Sequence, residues 1–387
     1  MGFPNQMLFP MTAGTESNGH LSIGGCDVAD LADEFGTPLY IYDEVTIRTM
    51  CREFVKGFTK HYPNTKVLYA SKAFINPAIA RIIAEEGLGI DVVSGGELAV
   101  AIAVDFDPEG IFFHGNNKTP QELDEAVEQG IGRIVVDSFH ELELLNDIAR
   151  RRNVTQNIML RVSPSVDPHT HHHTTTGILD SKFGFSIQTG HAAQAVEQAL
   201  AASNLKLTGI HFHLGSPIFE LEPYAIAIDT VLNFLAPFKA KGLELKDFSP
   251  GGGFAIGYVR DTLPPDISAY AEVIAKATTE YCKAYGFDLP RLIIEPGRAI
   301  IGRAGVALYR VGAIKDIPSV RKYVSLDGGM GDNIRPALYD SKYEAVVANK
   351  VNDKSSEKVT LAGKYCESGD ILIRDVTLPD IESGDLI

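Results

Sequence analysis

Eight short apolar runs alternate with amphipathic stretches between residues 66 and 298, and from about residue 307 the pattern changes to period-two alternation. Together they predict an α/β chain: a (β/α)8 barrel of the TIM type plus a mainly antiparallel β-domain. The runs are KVLYASK (66–72), GIDVVS (89–94), GIFFHG (110–115), RIVVDS (133–138), NIMLRVSP (157–164), LTGIHFHLGS (207–216), LKDFSPGG (245–252) and RLIIEPG (291–297). Strands separated by helices pair in parallel. An open doubly wound sheet is the competing arrangement, but it usually has fewer strands and needs a topological switch point.

In chain order, residues 1–44 hold a short polar leader and LADEFGTPLYIYD. The predicted helices then follow their strands. NPAIARIIAEEG has proline near its start and glycine at its end, as helix caps favour. TPQELDEAVEQG opens on Thr119 with Glu122 three residues later, a capping box. FHELELLNDIARRR and PYAIAIDTVLNFLAPFKAKG continue the series. Beyond the barrel, VALYRVGAIKDI, KYVSLDGG, YEAVVAN, KVTLAG and DILIRDVTL read as antiparallel strands, and NKVNDKSSEK as an exposed loop. The expected division is a cofactor-binding barrel over 45–306 and a β-domain from 1–44 and 307–387.

Composition narrows the function. A net charge of −15 argues against a nucleic-acid groove, which needs clustered Lys and Arg. Four scattered cysteines form neither a disulfide framework nor a metal-binding pair. The start MGFPNQMLFPMTAG lacks the basic and apolar regions of a secretory signal, and no apolar run is long enough to span a membrane. A cytoplasmic protein is the default expectation.

Barrel sites form at the C-terminal ends of the strands. Those ends carry Lys72, Asp91 with Ser94, His114, Asp137, Arg161, His211 with His213, Gly251-Gly252-Gly253, and Glu295 with Arg298. Lysine is rarely buried, so Lys72 at the end of a buried strand either reaches water or meets a ligand. The loops after strands seven and eight are the usual phosphate site of such barrels, and here they hold SPGGG and EPGR. Consecutive glycines let backbone N–H groups crowd an anion, although they equally suit a tight turn. Phosphate, lysine and carboxylate on one rim suggest pyridoxal 5'-phosphate, with Lys72 holding the aldehyde as a Schiff base and Glu295 facing the ring nitrogen. His213 could lie against the ring, or be a core histidine bonded to a carbonyl. The cluster His169-Thr-His-His-His173 invites a metal reading, but lacks acidic or cysteine partners at suitable spacing, and a polar loop explains it as well. No metal is expected.

These residues resemble the diaminopimelate decarboxylases, members of the alanine-racemase-like (fold-type III) pyridoxal phosphate enzymes. The resemblance runs from about residue 25 onward through YASKAF, GLGIDVVSGGEL, the segment Gly177 to Phe185, HFHLGS, PGGGF, EPGR, DGGMGDNIRPALY and CESGD, all in family order. It implies conversion of meso-2,6-diaminopimelate to L-lysine and CO2, the last step of lysine biosynthesis, by a homodimer with shared active sites. It implies cofactor contacts from Lys72, Asp91, His213, Ser216, Gly252, Gly253, Glu295, Pro296, Gly297 and Arg298. Arg298, Arg335 and Tyr339 would hold substrate carboxylates, and Glu367 the far ammonium. Cys366 would protonate the carbanion, with Cys366 and Glu367 supplied by the partner. The residues alone leave Cys366 open to a plain packing role. A substrate with two carboxylates and two ammonium groups does call for paired arginines and an acid.

The chain departs from the family pattern at Pro217, in Tyr339-Asp-Ser-Lys-Tyr343, and at Ile387, where relatives continue through a strand bearing a tyrosine. The alternatives are a decarboxylase of another basic amino acid, or a weak truncated paralogue acting in binding or regulation.

Overall fold

The structure is a computed structural model that describes residues 3, 5–166 and 181–387. The His169–His173 cluster and the Gly177–Asp180 part of the family motif lie outside the described residues. The chain divides into two compact units, one of residues 48–255 and 265–301, the other of residues 1–47, 256–264 and 302–387.

In the first unit, all eight predicted strands form. They are β1 (Thr65–Ala70), β2 (Gly89–Val92), β3 (Ile111–Phe113), β4 (Arg133–Val136), β5 (Gln156–Ser163), β6 (Leu205–His211), β7 (Asp247–Ser249) and β8 (Arg291–Ile294). Each pairs in parallel with its neighbours, and β4–β5 and β8–β1 pairings close the ring into a TIM barrel. A two-residue strand, Phe185–Ser186, adds to β5. Every residue of β2 and β4 is buried, the signature of a sheet covered on both faces. Leu68, Phe112, Val135, Met159 and Ile293, from five strands, pack into one cluster.

Most strands are shorter than their apolar runs because hydrogen bonding stops where the chain turns out at the rim. Lys72 therefore sits in a 3-10 turn, Ser71–Ala73, just past β1. The next helices start under side-chain caps. Asn76 accepts from Ile79 N–H, Ser94 from Glu97, Ser138 from Glu141, and Thr119 forms the predicted capping box with Glu122. At the opposite end, Asp247 at the start of β7 accepts from Arg133 Nε and Arg291 Nε, both at 2.8 Å.

In the second unit, Val311–Ile317, Arg321–Leu326, Glu357–Ala362 and Ile371–Leu378 form a sheet in that order. The outer pairings are antiparallel, but Arg321–Leu326 and Glu357–Ala362 run parallel. The long stretch between them makes that crossover possible. Leu39–Tyr42 pairs antiparallel with Gly305–Leu308, and Leu21, Ile23 and Val28 share a core with Val346, Ala348 and Leu386. YEAVVAN, expected as a strand, makes no ladder. Its Val346, Val347 and Ala348 are buried; Ala348 donates to Leu386 O and accepts from Leu21 N–H, while Val347 O accepts only within a turn, from Lys350 N–H. Among the described residues, no helix is long and apolar enough to cross a membrane.

Candidate active site

The C-terminal mouth of the barrel collects the charged groups. Ser71, next to Lys72, has its Oγ 2.7 Å from Asp91 O and 2.6 Å from Glu97 Oε2, and Glu97 also accepts from Val93 N–H. Two adjoining loops thus fix the turn that presents the lysine. Gly297 completes this seat: a Cβ there would come 2.9 Å from Ala70 O and 3.2 Å from Ala73 Cβ. Only glycine lets the loop after β8 lie against the Lys72 turn. Lys72 itself is exposed, and its charge bears on Asp91, His114 and His213.

Glu295, one residue past β8, is buried and anchored at both oxygens. Ser249 Oγ donates to Oε1 at 2.7 Å, and His211 Nε2 lies 3.1 Å from Oε2. His114 Nε2 is 3.7 Å from Oε1 and 4.0 Å from Asp91 Oδ1. Burial works against the charge on Glu295, but His211, His114 and the Ser249 hydroxyl outweigh it, so the carboxyl lies well below its usual range. Asp91 goes the other way. Burial pushes it well up; Lys72 opposes, and Glu295 and Glu97 add to the rise.

His114, His211 and Glu295 bring possible ligand atoms within 4.8 Å of one another. Of the two histidines only His211 is within hydrogen-bond distance of Glu295; His114 Nε2 has no hydrogen-bond partner.

The glycine loop packs backbone against backbone. A Cβ on Gly252 would lie 2.2 Å from Glu295 O, and Gly253 takes φ +97°. Gly252 N–H points to His213 Nδ1 at 3.4 Å, and its carbonyl accepts from Tyr224 OH at 2.7 Å. Ile218 N–H donates to Gly253 O at 2.8 Å, tying the loop of His213 and the exposed Ser216 to the glycines. Burial, with Lys72 and Arg161 nearby, pushes the half-buried His213 down to about 3, so its ring is neutral. Pro296 O accepts from Ala70 N–H, and half-buried Arg298 opens a one-turn helix, Arg298–Ile301. Asp137 and Arg161 pair at 3.8 Å beside these groups, and Arg161 stacks on Phe183 at 4.3 Å.

With this geometry established, comparison with known proteins decides the family. Residues 47–302 match the pyridoxal-binding domain model of the pyridoxal-dependent decarboxylases. The chain is 45% identical to the diaminopimelate decarboxylase of Bacillus subtilis over 97% of its own length and 86% of that protein, and 46% identical to that of Bacillus methanolicus over 98% and 88%. The chain belongs to the diaminopimelate decarboxylases. The crystal structure of the M. jannaschii diaminopimelate decarboxylase superimposes with a TM-score of 0.90 at 36% identity, covering 97% of this chain and 86% of that one. The Helicobacter pylori diaminopimelate decarboxylase complexed with L-lysine superimposes at 0.81 and 29% identity, covering 93% and 87%.

The remaining residues that the diaminopimelate decarboxylase resemblance singled out lie in the second unit. Arg335 opens the short helix Arg335–Tyr339 and is held between rings, 5.4 Å from Tyr258 and 5.5 Å from Tyr339. Its Nε donates to Tyr343 OH at 3.1 Å and a terminal nitrogen to Ser341 Oγ at 3.2 Å. The stretch that departs from the family pattern therefore fixes this guanidinium. Cys366 and Glu367 are exposed in the turn before Ile371–Leu378, where Glu367 Oε1 accepts from Gly369 N–H at 3.2 Å. Sequence reasoning passed over Ser249, Glu97, Tyr258 and Tyr343. Glu97 did carry a signal, the Ser94-x-x-Glu97 cap.

The histidines set an acid limit on stability. Burial lowers His114 and His213 from their ordinary value of 6.5. Near that pH the unfolded chain takes up protons on both histidines that the folded chain refuses, while Asp91 and Glu141, protonated more readily when folded, oppose. Stability of the cofactor-free chain is therefore expected to fall as the pH drops from about 6.5 toward 5. Urea unfolding at several pH values tests this; a slope of zero or of opposite sign would contradict it.

Proposed function

We propose that this chain catalyses the pyridoxal 5'-phosphate-dependent decarboxylation of meso-2,6-diaminopimelate to L-lysine and CO2, the last step of lysine biosynthesis. The observation that carries the reading is a buried, ionised Glu295 on the same barrel mouth as the Lys72 amine and a backbone-packed glycine loop. The site suits that cofactor. Asp91 Oδ1, His114 Nε2 and Asp137 Oδ2 are buried polar atoms with no hydrogen-bond partner in this structure, and the glycine positions have no room for a Cβ.

In this reading Lys72 holds the cofactor aldehyde, and the loops of Ser216, Gly252, Gly253 and Pro296-Gly297-Arg298 hold its phosphate. Asp91 and the neutral His213 ring complete its surround. The bound cofactor supplies the sink for the electron pair left when the bond from Cα to the carboxylate breaks. Glu295, kept anionic by its neighbours, holds a proton at the ring nitrogen. Arg298, and Arg335 with Tyr339, orient the substrate carboxylates through charge-assisted bonds. Glu367 receives the distal ammonium, and Cys366 Sγ returns a proton to the carbon that lost CO2.

The working form in this reading is a cytoplasmic homodimer in which Cys366 and Glu367 serve the partner's site. Ile334, Leu338 and Tyr339 are exposed, the kind of apolar surface a partner covers. Light scattering checks the dimer.

Protein loaded with pyridoxal phosphate is expected to show a visible band and to release CO2 from meso-diaminopimelate, but not at comparable rates from lysine, ornithine or arginine. Equal turnover of ornithine would overturn the substrate. Arg335→Lys keeps the charge and loses the planar fork, so KM for meso-diaminopimelate is expected to rise about tenfold to a hundredfold with a smaller change in kcat.

A further inference from the structure

Glu295 is gripped more thoroughly than a carboxylate needs for solubility. Oε1 accepts from Ser249 Oγ at 2.7 Å, and Oε2 lies 3.1 Å from His211 Nε2. Each oxygen keeps one further lone pair. Ser249 Oγ in turn accepts from Gly251 N–H at 3.1 Å, and Glu295 N–H donates to Gly251 O at 3.1 Å. The hydroxyl is thus a link between the carboxylate and the glycine loop. His211 Nδ1 is buried without a partner, so Nε2 is the ring atom that bonds, and it lies at Glu295. His114 packs edge-on against His211, with ring centroids 4.8 Å apart.

We infer that Ser249 and His211 are positioning residues of the reaction. They clamp the two oxygens of Glu295 in place as the partner of the cofactor's ring nitrogen, and Ser249 couples that carboxylate to the phosphate-side glycine loop. The inference rests on the pyridoxal phosphate reading above. Nothing in the family motifs that mark this site assigns a role to Ser249, and His211 appears there only as part of HFHLGS.

The geometry makes the two contributions separable. Losing the His211 donor weakens the anion and frees one oxygen; losing the Ser249 hydroxyl also cuts the tie to Gly251. The titratable and charged groups facing Glu295 are His211, His114, Asp91, His213 and Arg161, so any pH effect is read against all five. None of the other four is altered by the substitutions below.

The test uses the full chain loaded with pyridoxal phosphate labelled with 15N at the ring, in wild type, Ser249→Ala, His211→Phe and His211→Gln. In Ser249→Ala and His211→Phe the ring nitrogen is expected to lose its proton at lower pH than in wild type. Cofactor Kd should rise about tenfold, and kcat fall about tenfold or more with KM within about threefold. His211→Gln, whose amide N–H can reach the same oxygen, should recover most of the loss. A ring-nitrogen titration and cofactor Kd unchanged in both Ser249→Ala and His211→Phe would overturn the inference, even if activity fell. Should the histidine variants not fold, Ser249→Ala alone decides by the same readouts. A wild type with no visible band would instead overturn the cofactor reading, and this inference with it.

Discussion

Replacing Lys72 with alanine is expected to abolish the borohydride-sensitive visible absorbance of the loaded chain. CO2 release from meso-diaminopimelate should fall by at least about a thousandfold. The side chain is exposed and follows β1 in a turn whose shape is set by others. Ser71 lies within hydrogen-bond distance of Asp91 O and Glu97, and Gly297 packs under the turn. Removing the amine therefore leaves the seat intact, and thermal stability is expected to change by no more than about 0.5 kcal/mol. That separation makes the result informative: a folded, colourless, inactive variant locates the chemistry at Nζ. A variant that keeps the band or a tenth of the activity would show that the amine is not the attachment point.

Asp247→Ala is expected to have the largest effect on stability. Asp247 is 2% exposed and accepts from Arg133 Nε and Arg291 Nε, both at 2.8 Å. Arg133 also reaches Glu109 and Gly132 O, each at 2.7 Å, but Glu109 is largely in water. Deleting the carboxylate leaves a buried guanidinium without its main partner, which typically costs about 3–5 kcal/mol. For a unit of this size the melting temperature should drop by roughly 10 °C. Asp247→Asn keeps an acceptor without the charge and should fall between. Because the cluster lies at the N-terminal end of the barrel, kcat of the folded fraction should stay within about twofold. A melting temperature within a degree of wild type would mean the network is dispensable.

The alternating pattern of strands and helices was legible because a parallel sheet covered on both faces needs continuous apolar runs, and the helices between them need polar caps. The rim residues were legible for the same reason: Lys72, His114, Asp137 and Glu295 each fall at or just past the end of such a run. What misled was alternation without a partner. YEAVVAN has the composition of a strand, yet its buried valines pack without a neighbouring ladder: Ala348 bonds to Leu21 and Leu386, and Val347 only to Lys350 in a turn. The parallel pair in the second unit was likewise hidden, since a run of residues says nothing about which neighbour it meets.

By itself, the sequence determined the barrel, the residues of its mouth and the family they belong to, because local periodicity and short ordered motifs are properties of the chain alone. Only the tertiary structure decided how those residues act on one another. That Glu295 is ionised while Asp91 is driven toward neutrality depends on burial and on His211, Ser249 and Lys72, brought together from other strands. Charge states and clamps are set by distances across the barrel, and linear spacing does not encode them.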